Sequence, residues 1–291
     1  MTREDHKANV GPGIPPTAYP RHQPGETRVI LDGVYKTFPT PKGTIEVVQD
    51  VSFELREGDF VSFVGPSGCG KTTMLNMIAG FERPDQGTLL FDGQPIAGPG
   101  HERGVIFQEY GVFPWLSVRD NILFGLRLKA NRLPAKEQAA IADRYIKLMR
   151  LDGFEDYYPR ALSGGMRQRL ALARTYAVNP EVLLMDEPFG ALDAQTRLAM
   201  QVQLMDLLVS ERKTVMLITH SVEEALFLST RVMMISARPS RVIEELVVPF
   251  DYPRDPSIIT TPRFQELRGH LQQHLSKQYE EQEALAKGRS L

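Results

Sequence analysis

The chain has a single cysteine, Cys69, and a single tryptophan, Trp115. One cysteine cannot form an internal disulfide, a usage that suits a reducing compartment. Long apolar runs are also missing. The most hydrophobic stretches, such as Val182 to Met185 and Val215 to Ile218, fall far short of the roughly 20 residues that a membrane-spanning helix needs. The chain is therefore not expected to cross a membrane alone. Neither sign of charge is in excess: 34 Lys and Arg against 36 Asp and Glu leave a net charge of -2, which offers no global attraction to nucleic acid or to an anionic bilayer. Residues 1–26 are rich in Pro, Gly and charge and hold no apolar stretch of the signal-peptide kind. They read as a flexible tail, and export is not expected.

What is present is globular. With 42% hydrophobic and 24% charged residues over 291 positions, the chain is long enough for about two structural units. Short alternations of apolar and polar residues at Val29 to Leu31 and Glu46 to Leu55 predict antiparallel strands. The continuous apolar run Phe60 to Val64 predicts a strand buried on both faces, followed by a loop and a helix over Met74 to Ile78. Ser117 with Asp120 has the form of a capping box opening a helix to about Lys129, and a second helix is expected over Ala135 to Leu151. Strands return at Val182 to Met185 and Thr214 to Thr219, each with a helix after it, the second behind Ser221 and Glu224. This alternation predicts a parallel sheet. After Val242 to Val248, the proline-bearing segment Asp251 to Pro262 reads as a connector. Phe264, Leu267, Leu271, Leu275 and Tyr279 then recur at helical spacing.

Gly65-Pro66-Ser67-Gly68-Cys69-Gly70-Lys71-Thr72 fits the pattern G-x-x-x-x-G-K-[ST] between a buried strand and a helix, the context in which that pattern cradles phosphate. Glycines let consecutive backbone N–H groups curl around an anion, and the helix, entered at Thr73, directs its positive end to the same point. A polyphosphate is the natural guest. Lys71 is expected on its β and γ phosphates and Thr72 on Mg²⁺. Cys69 reads as a small residue that fits the loop rather than a redox group.

Asp186 and Glu187 end the apolar strand from Val182, where parallel sheets bind ligands. Asp186 is placed to hold the hydration shell of Mg²⁺, and Glu187 to polarise a water for in-line attack on the γ phosphorus. A carboxylate pair alone is as often a solvated turn; the phosphate loop is what favours the chemical reading.

The segment Ala161-Leu162-Ser163-Gly164-Gly165-Met166-Arg167-Gln168-Arg169, ending about 17 residues before Asp186, resembles the signature motif of ATP-binding cassette (ABC) ATPases. The other landmarks of that family follow in order: Gln108 as the Q-loop glutamine, Gly190 to Asp193 as the D-loop and His220 as the switch histidine. The resemblance covers about Val29 to Pro239. It departs at Gly190, where serine is frequent, and at Thr72, where serine is common, and neither change removes a needed group.

The resemblance implies an α/β P-loop NTPase fold: a RecA-like, mostly parallel sheet with an antiparallel β subdomain and an α-helical subdomain at about 109–165. The cassette then spans 27–248, and 249–291 is a C-terminal helical extension. It implies ATP and Mg²⁺ as cofactors, with Thr72, Gln108 and Asp186 toward the metal and Glu187, His220, Gln108 and Lys71 in catalysis. Two cassettes pack head to tail, so that ATP lies between the Lys71 loop of one and Ser163, Gly164, Gly165 and Asp193 of the other. Phe38 holds the place of the aromatic that stacks on adenine, with Tyr35 as the alternative.

Because no spanning segment is expected, the work must be done on other chains, in this family a pair of transmembrane permease subunits. A periplasmic or lipoprotein solute-binding protein would serve the same system, and no nucleic acid is expected. Phe113 and Trp115 either dock a short helix of such a partner or plug the helical subdomain. Pro114-Trp115-Leu116, the run Glu102 to Gln108 and the loop with Cys69 resemble the nitrate, sulfonate and taurine branch of importer ATPases, which places the chain at the cytoplasmic face of the membrane. A separate-chain exporter and a soluble ABC ATPase of translation or DNA repair are the alternatives. A GTP switch is disfavoured because neither D-x-x-G nor N-K-x-D occurs. His270 and His274 have helical i, i+4 spacing, but the sequence shows no third ligand near them and they are expected to be solvated.

Overall fold

Strand identity follows from which faces are covered. In the computed structural model, which describes residues 25–286 apart from 42, 110, 129–132, 191 and 212, two sheets share the chain. The first is antiparallel and four-stranded, in the order β2 (Gly43–Arg56), β1 (Thr27–Thr40), β4 (Gln86–Phe91), β5 (Gln94–Pro95). The second is six-stranded, in the order β10 (Val242–Val247), β9 (Arg231–Ile235), β3 (Phe60–Val64), β8 (Thr214–Thr219), β7 (Val182–Asp186), β6 (Arg103–Ile106). Its neighbours pair in parallel except β10 with β9.

The central strands of the second sheet are mostly apolar because each face packs on a different core, and the buried Ser62 of β3 is satisfied by Ser229. Leu183 and Met185 of β7, with Val215 and Leu217 of β8, face one core. Val182, Leu184, Met216 and Ile218 face the other, which the antiparallel sheet and α1 (Lys71–Ala79) complete. A strand buried on both sides cannot alternate, which is why these runs stand out in the sequence. Edge strand β10 does alternate: Val242, Glu244 and Leu246 are half-buried, while Ile243, Glu245 and Val247 are exposed.

Helices α2 (Val118–Leu126), α3 (Ala135–Leu148) and α4 (Gly164–Ala177) pack on one another between β6 and β7 in the chain. Helices α5 (Ala194–Glu211), α6 (Val222–Leu228) and α7 (Pro262–Ala286) follow. The antiparallel strands are longer than their alternation predicts, since bulges in the β1–β2 ladder interrupt the period without ending the pairing. Helices α2 and α3 are shorter than expected. α3 stops at Leu148, and Arg150 takes a positive φ of 51° just before Leu151. Strands β4, β6 and β9 carry no clear periodic signal. The capping boxes are one-sided: Ser221 Oγ accepts from the Glu224 N–H at 3.2 Å, but the Glu224 carboxylate turns away to Gln201 Nε2 at 2.8 Å.

On α7, Phe264, Leu267, Leu271 and Leu275 are buried as expected, but Tyr279 points outward and Gln278 takes the inner place. A period of 3.6 residues carries the buried line from 271 through 275 to 278. The expected N-terminal tail lies almost wholly outside the described residues.

Candidate nucleotide site

The loop Gly65 to Gly70 leaves β3 at its carboxyl end and enters α1 at Lys71. No side chain caps α1 and its first turn holds no acidic residue, so the N-terminal amides and the positive helix end remain available to an anion. Gly70 sits at φ 128°, and a Cβ there would fall 2.5 Å from Ser240 Oγ; a Cβ on Gly65 would fall 2.7 Å from the Ile235 carbonyl oxygen. The loop is thus pressed against the turn after β9, and only glycine fits at either point.

That turn also holds the loop by hydrogen bonds. Ser240 Oγ donates to the Cys69 carbonyl and Arg238 donates to the Gly68 carbonyl at 2.6 Å. Gln282, far along α7, donates to the Ser67 carbonyl at 2.9 Å. These three residues escaped the sequence reading. They lie about 170 to 215 positions from the loop, and no local pattern marks them.

Lys71 is buried and donates from Nζ to the Gly65 and Pro66 carbonyls at 2.7 Å each, with Cys69 Sγ 3.8 Å away. Its ammonium therefore sits within the curl of the loop. Ser67 is exposed, Pro66 and Cys69 are buried, and Thr73 is half-buried. Thr72 Oγ1 donates to Asp186 Oδ2 at 2.9 Å, bringing together two residues 114 positions apart. Burial pushes the Asp186 carboxyl above the ordinary carboxylate range, the Thr72 hydroxyl bond opposes this, and the Glu187 charge adds to it.

One residue on, Glu187 adopts a left-handed φ of 45°, an unusual backbone state for a non-glycine residue. Its N–H donates to the Ile218 carbonyl at 2.9 Å. Because β7 and β8 are paired with Asp186 opposite Ile218, the chain leaving β8 delivers His220 to the same edge, with Nδ1 3.2 Å from Glu187 Oε2. Gln108 is exposed two residues beyond β6, the strand next to β7.

The remaining expected residues stand apart from this cluster. Ser163 caps α4, its Oγ accepting from the Met166 N–H at 3.3 Å, and Gly164 and Gly165 form the first turn. A Cβ on Gly165 would meet Thr196 Cγ2 at 3.0 Å, so α4 and the start of α5 approach closely. Asp193 accepts from the Thr196 N–H at 3.0 Å, a bond that holds its exposed carboxyl below the usual range. Phe38 pairs with Ile45 across the β1–β2 hairpin, two residues from Val47, which touches Gly70. The Lys36 ammonium lies 5.1 Å from the centre of the Phe38 ring, while Tyr35 pairs with Gln86 of β4.

The aromatic segment after Gln108 divides. Phe113 is wedged between the Arg174 guanidinium, 4.0 Å from its centroid, and Phe124 at 4.4 Å. Asn121, fully buried, pins the turn by donating to the carbonyls of Phe113, Leu116 and Ser117. Trp115 is 69% exposed, and Phe81 and Phe107 form an exposed aromatic pair, with ring centres 6.2 Å apart.

Residues 48–190 match the family model described as ABC transporter. The nitrate import ATP-binding protein NrtD of Synechococcus elongatus is 43% identical over 82% of this chain and 88% of its own length. The aliphatic sulfonates import ATP-binding protein SsuB of Bacillus cereus is 41% identical over 86% and 96%. An uncharacterized ABC transporter ATP-binding protein, MJ0412 of Methanocaldococcus jannaschii, is 46% identical over 79% and 85%. Among solved structures, the dimeric post-hydrolysis ATP-binding cassette MJ0796 with ADP and Pi aligns with a TM-score of 0.68 and 30% identity, covering 77% of this chain and all of that one.

Proposed function

We propose, from the premise that this chain belongs to the ABC transporter family, that it is the ATP-hydrolysing subunit of an importer for a small anion or sulfonate such as nitrate, taurine or an alkanesulfonate. ATP binding and hydrolysis coupled to transport are the activity of the family. The importer reading rests on one observation, the likeness of nearly the whole cassette to nitrate and sulfonate import proteins.

The site geometry supports the chemistry. The loop amides and the end of α1 receive the triphosphate, and Lys71 exchanges the Gly65 and Pro66 carbonyls for phosphate oxygens. Glu187, aimed by its left-handed backbone, accepts the proton of the attacking water while His220 holds its carboxylate, and the terminal phosphate leaves as inorganic phosphate with ADP remaining. Thr72 and Asp186 offer only oxygen donors on a desolvated, anionic edge, a set that fits Mg²⁺, with Gln108 as a further ligand from the neighbouring strand end. When bound, Mg²⁺ neutralises charge on the phosphate oxygens.

Ser163, Gly164, Gly165 and Asp193 lie on other elements with their own local contacts, and in this reading they complete the site of a second copy, head to tail. Phe38 stacks on adenine from the hairpin lip. The exposed Phe81, Phe107 and Trp115 receive a permease helix, whereas Phe113 belongs to the fold. The described residues include no helix long and apolar enough to cross a membrane, consistent with a peripheral subunit held at the cytoplasmic face by two permease chains and served by a solute-binding protein.

The test is purification from membranes of the cells that make the protein. Recovery with two permease subunits, and ATPase activity stimulated by a binding protein loaded with nitrate or a sulfonate, is expected. Recovery of the active ATPase free of any membrane partner would overturn the importer reading.

A further inference from the structure

Away from the nucleotide machinery, α7 carries two histidines toward a single carboxylate. His270 and His274 stand one turn apart, on the flank of the buried stripe of Leu267, Leu271 and Leu275, and Glu244 lies on the half-buried face of edge strand β10. His270 Nε2 is 2.7 Å from Glu244 Oε1, and His274 Nδ1 is 3.0 Å from Glu244 Oε2. The two rings have centres 4.5 Å apart, and one ligand atom from each of the three residues falls within a 4.8 Å span. The third group that the sequence did not show is therefore present, contributed by a strand rather than by the helix.

We propose that Glu244, His270 and His274 bind a divalent transition-metal ion of the zinc class and so clip the C-terminal helix to the edge of the sheet.

Two imidazoles and a carboxylate form a donor set characteristic of Zn²⁺, which holds such ligands at about 2.0–2.2 Å. Tetrahedral geometry at that bond length separates ligand atoms by about 3.3 Å. Each imidazole nitrogen already lies 2.7 or 3.0 Å from a different oxygen of the Glu244 carboxylate, and the 4.8 Å span of the three ligand atoms closes to that value by small side-chain rotations. Hydrogen bonding alone does not account for the trio. Glu244 Oε2 is shielded from solvent and accepts no hydrogen bond, despite the nearby His274 nitrogen. Among the described residues Glu244 pairs with no lysine or arginine, only with the two imidazoles, so the carboxylate and both rings are free of competing side chains for a shared cation. The imidazole side chains are a little over 40% exposed, so an ion can enter without unfolding, and water can fill its fourth position. The inference does not depend on the transported substrate or on the ATPase reading.

The test uses the full chain, freed of metal by chelator, and Zn²⁺ itself, titrated in competition with a chromophoric chelator and followed in parallel by thermal unfolding. One tight Zn²⁺ per chain and a raised Tm are expected. His274→Gln and Glu244→Gln should each weaken that site at least about tenfold and abolish the Tm rise. His101→Gln, remote from the trio, serves as the control for scattered surface histidines and should change neither. If one of the two ligand variants fails to fold, the other decides. Absence of a stoichiometric site in the parent chain, or undiminished binding in whichever variant folds, overturns the proposal.

Discussion

Gln282 of the C-terminal helix donates a hydrogen bond to the backbone carbonyl of Ser67, in the middle of the phosphate loop, at 2.9 Å. On the same helix, Gln278 accepts from the Ala237 N–H at 2.8 Å, in the turn whose Arg238 and Ser240 brace that loop. The extension therefore rests on the loop directly and also through the turn. A hydrogen bond of this kind contributes about 0.5–1.5 kcal/mol net. Gln282→Leu is accordingly expected to raise the KM for ATP about two- to twelvefold with kcat little changed. Identical KM values in steady-state assays would show that the contact does not tune the loop.

Glu187 and His220 meet at 3.2 Å, and removal of the carboxylate separates binding from chemistry. Glu187→Gln is expected to retain ATP affinity while hydrolysis falls about 10²-fold or more. If the site is shared between two copies, the ATP-bound variant elutes from gel filtration as a dimer. Wild-type turnover in this variant would remove Glu187 from its role as base, and a strictly monomeric elution at saturating ATP would remove the shared site.

A methyl group at Gly65 would approach the Ile235 carbonyl oxygen to 2.7 Å, nearer than side-chain carbons normally come to backbone. Gly65→Ala must therefore displace the loop from β9. ATP affinity is expected to drop at least about tenfold, whereas Gly98→Ala, at a position with no neighbour within 4 Å and no positive φ, should leave it unchanged. Equal affinities by fluorescent-nucleotide titration would contradict the close packing of loop and strand.

Burial pushes the Glu224 carboxyl above the ordinary carboxylate range, against the bonds from Thr219 and Gln201. The folded state then holds a proton that the unfolded chain releases at about 4.3, so this residue's contribution to stability falls as pH rises from that value through the raised one. Glu224→Gln keeps an acceptor for Gln201 and carries no charge. Its urea midpoint should gain on that of the parent as pH rises above about 4.3. A gap that stays constant with pH would mean that Glu224 is not desolvated as its burial indicates.

Much of the fold can be read from the chain alone where burial is two-sided or chemistry is contiguous. Phe60–Val64 and Thr214–Thr219 announce themselves because both faces of each strand are covered, which favours apolar residues on both faces rather than alternation. The phosphate loop is legible because glycines and a Lys-Thr pair must follow one another to wrap an anion. Strands such as β6, with a glycine in its four residues, and the half-exposed β10 leave weaker patterns.

The sequence by itself determined the doubly buried strands β3, β7 and β8 with the helices after them, the phosphate loop and the carboxylates at the end of β7, since each is encoded by neighbours in the chain. Only the tertiary structure decided that Thr72 meets Asp186, that Ser240, Arg238 and Gln282 brace the loop, and that Glu244 joins His270 and His274. Those contacts join polar side chains on elements far apart in sequence. Polar partners follow no hydrophobic period, so their meeting is set by how strands register and helices seat, a property of the packed cores rather than of any local run of residues.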